Sequence, residues 1–290
     1  MPAWGQVWIV GAGRMGLALA TLLHRAGTAQ ITVSSRREKP PDHPLFGGDA
    51  PAVAYRSGLG FTGHPPDALI LAVPDAAIAA VAQELARTPL PAGTAVLHLS
   101  GAVPVDALAP LARRGCWTGG IHPLASVPRL DSGDEPLLGA TFGVEARGEA
   151  LRLADAVVAA AGGRRVEITA HSRPLYHAAA VFAANYTVVL LQLCERLLAQ
   201  AGVGGEAARR GMAALAAGAV RQAGERGAGA ALTGPIARGD AGTVRLHLSR
   251  LSGPEREVYC LLGLFALEVA GSRGVDPARR EEIRELLEKG

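Results

Sequence analysis

The run Val7-Trp8-Ile9-Val10-Gly11-Ala12-Gly13-Arg14-Met15-Gly16 constrains this chain more than any other ten residues. A short apolar segment over 6–10 passes straight into Gly-x-Gly-x-x-Gly. Helical periodicity follows over 14–26, and a second apolar segment over 30–34. In that setting each glycine has its own purpose. Gly11 permits a tight turn, Gly13 lets backbone approach a pyrophosphate, and Gly16 lets helix and strand pack closely. The free N–H groups at the helix start, with their partial positive charge, then face the phosphates. Gly11, Ala12, Gly13, Arg14, Met15 and Gly16 are therefore the expected dinucleotide loop. The next segment, Val33-Ser34-Ser35-Arg36-Arg37, has no acid until Glu38. A ribose 2′-hydroxyl calls for Asp or Glu there, whereas a 2′-phosphate calls for positive charge and hydroxyl donors. Ser34, Ser35 and Arg36 thus predict NADP(H) rather than NAD(H), although one of the two arginines would serve equally as a solvated loop charge.

Up to about residue 168 apolar strand-like runs (6–10, 30–34, 68–73, 94–99, 116–121, 140–144, 165–168) alternate with helical stretches. That order implies βαβ units and a mostly parallel, doubly wound sheet. After Ile168 helical stretches follow one another, at about 172–201, 204–224, 240–251, 254–272 and 277–288. Ser172, Gly202 and Asp276-Pro277 supply the end signals. With 290 residues the chain exceeds one ordinary domain. The expected division is an α/β dinucleotide-binding domain over 1–169 and an all-α substrate and dimerisation domain over 170–290.

Net charge is only +3 and the Arg-Arg pairs are scattered, which argues against a nucleic-acid surface. Three cysteines without a CxxC pair fit a reducing cytoplasm, and no metal-ligand spacing occurs. Residues 175–194 carry no formal charge and are long enough to span a bilayer. His177, Asn185, Thr187 and Gln192 interrupt them, so they read as a buried helix of a soluble protein rather than a membrane span. A helix of about 30 residues, roughly 45 Å long, outruns one small bundle. It is expected to continue into a partner subunit, giving a homodimer through the C-terminal helices.

Ligands of open α/β sheets bind outside the carboxyl ends of the strands, which singles out three segments. Ala72-Val73-Pro74-Asp75 ends one strand, with Asp75 a possible N-cap. His98-Leu99-Ser100-Gly101 ends the next, with His98 read as a core histidine. Gly119-Gly120-Ile121-His122-Pro123-Leu124 places His122 at the cleft mouth. Farther on, His177, Val181 and Asn185 have i, i+4, i+8 spacing, either an internal polar network or a face toward the nicotinamide. Thr233 and Arg238 lie in a Gly- and Pro-containing loop before Asp240, where Arg238 could clamp a carboxylate.

Together VWIVGAGRMG, LAVPD, LSGAVPVDALAPL, GGIHPL, YHAAAVFAANY and LTGPIARGD resemble a group of Rossmann-like oxidoreductases with an uncharacterised helical C-terminal domain. That group is similar to ketopantoate reductases, pyrroline-5-carboxylate reductases, prephenate dehydrogenases and β-hydroxyacid dehydrogenases. The resemblance implies a nicotinamide cofactor held between the two domains. It also marks a departure. β-Hydroxyacid dehydrogenases carry a lysine one turn before an Asn that matches Asn185, and Val181 stands at the lysine position. The only lysines, Lys39 and Lys289, are not placed to substitute. Ser100 and His122 instead match the Ser and His of prephenate dehydrogenases. The expected function is NADPH-dependent reduction of a small carbonyl or imine, with a 2-oxo acid of the ketopantoate type favoured. His122 would be the proton donor near its ordinary pKa of about 6.5, aided by Ser100 or His177. Asn185 would orient the substrate. The alternatives are a prephenate-type NADP-dependent dehydrogenase and a non-catalytic NADP-binding sensor.

Overall fold

Strands buried on both faces must be apolar throughout, and the middle of this sheet is. β1 (Gln6–Val10), β4 (Ala68–Leu71) and β5 (Ala95–His98) are almost wholly inaccessible. Around them lie β2 (Gln30–Ser35), β3 (Ala54–Ser57), β6 (Trp117–Pro123), β7 (Thr141–Ala146) and β8 (Arg164–Glu167). This computed structural model describes residues 4–47, 51–60, 64–271 and 275–289. Strand order is β3-β2-β1-β4-β5-β6-β7-β8, and every neighbour pair is parallel except β6 with β7. Sequence periodicity did not anticipate β3, a short and half-exposed segment with little apolar signal, nor the antiparallel pair.

Helices α1 (Arg14–Arg25), α2 (Ile78–Leu85), α3 (Ala109–Ala112) and α4 (Gly148–Ala160) connect the strands. The period of two along a strand sends alternate residues to opposite faces. Val7 and Ile9 therefore join Leu17, Leu22, Leu153 and Val157 in one core layer. Trp8 and Val10 join Ile78, Leu85, Leu108 and Leu111 in the other. The contacts divide the chain into two compact units, 1–184 and 185–290. The first unit takes in α5 (Arg173–Val181), which the sequence reading assigned to the helical half.

The second unit holds α6 (Thr187–Gln200), α7 (Glu206–Arg226), α8 (Ala228–Ala231), α9 (Pro235–Arg238), α10 (Ala241–Leu248), α11 (Gly253–Gly271) and α12 (Pro277–Glu288). Asp240 caps α10 by accepting from the Thr243 amide at 2.9 Å, and Asp276 caps α12 from Ala278 at 2.8 Å. Its core is small: Ala241, Val244, Leu248, Cys260, Leu267, Ile283 and Leu287. Neither α6 nor α7 has a single buried residue. The expectation of a buried 175–194 helix fails within one chain. Leu175 and Val188 are each about two-thirds exposed or more. By length and composition alone 173–200 could cross a membrane, at a mean hydropathy of 1.5, with none of that window buried. The α-periodic alignment of His177, Val181 and Asn185 also fails. Phe182–Tyr186 forms a π-helical turn, whose wider repeat breaks the i+4 register before Asn185.

Candidate active site

The strand order reverses between β1 and β4, and the crevice outside their carboxyl ends is where an open α/β sheet receives a ligand. The glycine loop leaves β1 at that point. Gly11 has φ of 124°, and a Cβ there would come within 2.3 Å of the Ala72 carbonyl oxygen. At Gly16 a Cβ would sit 2.0 Å from the Gly11 carbonyl oxygen. At Gly13 it would meet nothing within 4 Å. Two glycines thus permit close packing and the middle one faces open space, the arrangement a pyrophosphate needs. Gly13 is the N-cap of α1, offers no side-chain acceptor, and the first turn carries no acid. Its amides remain available to an anion. Ala12 and Met15 pack on the sheet, while Arg14 donates to the Pro128 carbonyl at 3.1 Å. Val73 and Pro74 follow β4 beside the loop, tied in by Ala72 N–H donating to the Val10 carbonyl at 2.8 Å.

The β2 end is more structured than its sequence suggests. Ser34 is fully buried and its Oγ has no hydrogen-bond partner among the described residues. Ser35 Oγ lies 2.7 Å from the Tyr55 hydroxyl and accepts from the Arg37 amide at 3.2 Å, and the Tyr55 hydroxyl donates to the Arg37 carbonyl. Ser35 and Tyr55 therefore shape the turn from which Arg36 and Arg37 project into solvent. A 2′-phosphate could meet the arginines; Ser34 is turned inside.

The carboxyl ends of β5 and β6 gather the titratable groups. His98 is wholly buried, its Nδ1 accepts from the Ser100 amide at 3.2 Å, and its Nε2 has no hydrogen-bond partner among the described residues. Ser100 Oγ accepts from the amides of Ala102 and Val103 at 3.1 and 2.9 Å, so it folds the turn and keeps one proton to donate. His122 and His177 stack edge to face with ring centroids 5.6 Å apart. The expected ordinary histidine at 122 is not found. Burial, then His177, then Arg173 lower its pKa to about 4 against the opposing pull of Asp75. Burial, Arg173 and His122 do the same for His98, also to about 4. At neutral pH both rings are uncharged, so neither stores a proton as an imidazolium.

Three residues that sequence reasoning missed hold this arrangement: Arg173, Tyr176 and Glu145. Arg173, 1% exposed, donates through Nε and Nη2 to Glu145 Oε2 at 3.0 and 2.7 Å and through Nη1 to the Ser100 carbonyl at 2.9 Å. The Tyr176 hydroxyl lies 3.1 Å from His122 Nδ1 and donates to the His122 carbonyl at 3.3 Å. Glycines on the sheet make the room. Gly120 pairs across the antiparallel ladder with Glu145, and His122 with Gly143. A Cβ at Gly120 would lie 2.7 Å from Arg173 Nη2, and one at Gly143 would lie 2.5 Å from the Tyr176 hydroxyl. A Cβ at Gly101 would lie 2.5 Å from His177 Nδ1. One face of α5 is thus keyed into three glycine notches. A glycine inside a strand often marks such a close approach, and Gly120 and Gly143 were that signal. Asn185, Thr233 and Arg238 belong to the second unit, with Asn185 in the π turn and Arg238 exposed at the end of α9.

Residues 1–123 match the model of a Rossmann-like domain, and residues 140–265 match a domain of unknown function, DUF2520. No curated protein matches this chain. Among solved structures it is similar to a Thermotoga maritima protein at 21% identity and TM-score 0.70, covering 92% of this chain and 99% of that one. A Bacteroides fragilis protein described as a candidate NADP oxidoreductase shares 22% identity at TM-score 0.66, over 91% and 98% of the two chains. The reductive aminase of Aspergillus terreus, in complex with NADPH, shares 18% identity at TM-score 0.56, over 98% and 93%. These likenesses establish a shared fold. Within it, the Rossmann-like domain carries the glycine loop and His122, while α5 falls inside the DUF2520 match.

Proposed function

We propose that this protein is an NADPH-dependent oxidoreductase that reduces a small carbonyl or imine compound, with an oxo acid of the ketopantoate type as the first candidate. The observation that carries the reading is the open Gly13 at a free helix start, combined with a polar cluster at the neighbouring strand ends. NADPH, when bound, supplies the hydride. Gly11, Gly13 and the α1 amides would hold its pyrophosphate, and Arg36 its 2′-phosphate. His122, Ser100 and His177 would serve the reacting group, and Asn185 and Arg238 are proposed to orient and clamp the substrate. The likeness to proteins described with NADP or NADPH supports the cofactor choice. Arg36→Ala should weaken NADPH binding by about 1.5–3 kcal/mol and leave NADH nearly unchanged, measured by titration calorimetry beside a turnover assay. Equal losses for both cofactors would remove Arg36 from the phosphate site. Tight NADPH binding without turnover on any oxo acid or imine would favour the sensor reading.

We also propose that the protein works in the cytoplasm as a homodimer through its C-terminal helices. The support is the apolar surface of α6 and α7, in which no described residue is fully buried. Contiguous exposed apolar surface of this extent marks an interaction face, and a second copy offers the same face in a two-fold pairing. Light scattering at micromolar concentration should give twice the chain mass. A monomer that binds lipid vesicles would point to a membrane instead.

A further inference from the structure

Arg36 sits between two residues whose backbones are pinned. Ser35 is the last rung of the β2–β3 ladder, opposite Ser57, and its carbonyl accepts from the Gly58 amide at 2.8 Å. Arg37 lies beyond the strand, yet side chains engage both of its backbone polar groups. Its amide donates to Ser35 Oγ at 3.2 Å, and its carbonyl accepts from the Tyr55 hydroxyl at 2.8 Å. The phenol's one proton is committed to that carbonyl, so across the 2.7 Å between the two hydroxyls Ser35 is the donor. The three bonds close into a ring in which each hydroxyl donates once and accepts once.

We propose that Tyr55 is a positioning residue for the 2′-phosphate of NADPH, fixing the turn that carries Arg36 and Arg37 before the cofactor arrives. This inference rests on the NADPH reading above and adds the residue that aims the arginines. The register explains its reach. Tyr55 pairs with Val33, and Val33 and Ser35 face the same side two residues apart, about 6.6 Å along the strand. A phenol is long enough to span that step. Phe46 packs edge-on against the Tyr55 ring, with centroids 5.5 Å apart, and fixes its tilt. Ser35 and Tyr55 are only half-buried, while Ile31 and Val33 complete the core layer beside β2. The ring therefore shapes the turn rather than closing the core. Neither hydroxyl brings charge, so the ring sets direction and the arginines supply the attraction. A turn that had to order itself on binding would lose part of that affinity, and a turn already ordered keeps it. NADH lacks the 2′-phosphate, so the effect falls on NADPH alone.

Calorimetric titration of the full-length protein with adenosine 2′,5′-bisphosphate and with AMP, which differ only in the 2′-phosphate, tests the proposal. The wild type should bind the bisphosphate more tightly. Tyr55→Phe keeps the ring against Phe46 and deletes only the hydroxyl. It should weaken the bisphosphate roughly 3–10-fold, the effect of one hydrogen bond, and leave AMP unchanged. NADPH and NADH should show the same split. Ser35→Ala breaks the same ring and should act likewise, which keeps the test open if the Phe variant fails to fold. The double variant should lose no more than either alone. Arg36→Ala should weaken the bisphosphate less in the Tyr55→Phe background than in the wild type, because there the guanidinium is no longer aimed. Unchanged bisphosphate affinity in both single variants overturns the role of Tyr55 and leaves the NADPH reading in place. Equal losses for bisphosphate and AMP would assign the ring to the fold alone and overturn it as well. A wild type with no preference for the bisphosphate overturns both.

Discussion

Between pH 7 and pH 4.5 the protein should lose several kcal/mol of stability, most of it before its carboxylates reach their ordinary range near 4. His98 and His122 take up protons in the folded state only near pH 4, whereas in the unfolded chain they do so near 6.5. Above 6.5 neither state binds these protons, and the folded form has its full stability. As pH falls through the interval, only the unfolded chain gains protons, so unfolding becomes steadily easier. Each histidine accounts for roughly 3 kcal/mol over that span. Because His122 is itself one of the causes that lower His98, the pair gives somewhat less than the sum. Urea titrations at pH 7.5, 6 and 4.5 measure it directly. A stability that stays flat down to pH 4.5 would mean that the rings are solvated and free to charge.

Arg173→Met should cost about 3–5 kcal/mol, the range expected when one member of a buried ion pair is removed. The loss is large because the guanidinium is 1% exposed and serves two partners. Without it Glu145 is left without its cation and the Ser100 carbonyl without its donor. The double variant Arg173→Met with Glu145→Met should recover a good part of the deficit, since it removes the stranded charge as well. Denaturant unfolding of the two single variants and the double closes the cycle. Single variants whose losses simply add would show that the pair is not coupled.

The parts of the molecule legible in the sequence are those in which neighbouring residues decide the outcome. The close-packed glycine loop after β1, the buried strands and the Asp240 and Asp276 caps all follow from local chemistry and periodicity. What escaped depends on residues distant in the chain. β3 exists because β2 offers it an edge, and Tyr55 matters because it reaches Ser35. Arg173 finds Glu145 across 28 residues and Ser100 across 73. The neutrality of His122 comes from burial and from two neighbours on another element, which no inspection of His-Pro alone could supply. The exposed 173–200 helix misled in the other direction. An uncharged run reports that a surface wants covering, and it does not report whether the cover lies in the same chain.

The keyed face of α5 has a consequence for how this chain can change over time. Gly101, Gly120 and Gly143 are each spaces already filled by His177, Arg173 and Tyr176. Adding a methyl at one of them displaces its counterpart, and shrinking the counterpart opens a void. Substitutions at positions in contact do not accumulate independently. A lineage could replace one of these glycines only together with the residue lodged against it. For the purposes of drift, six positions behave as three.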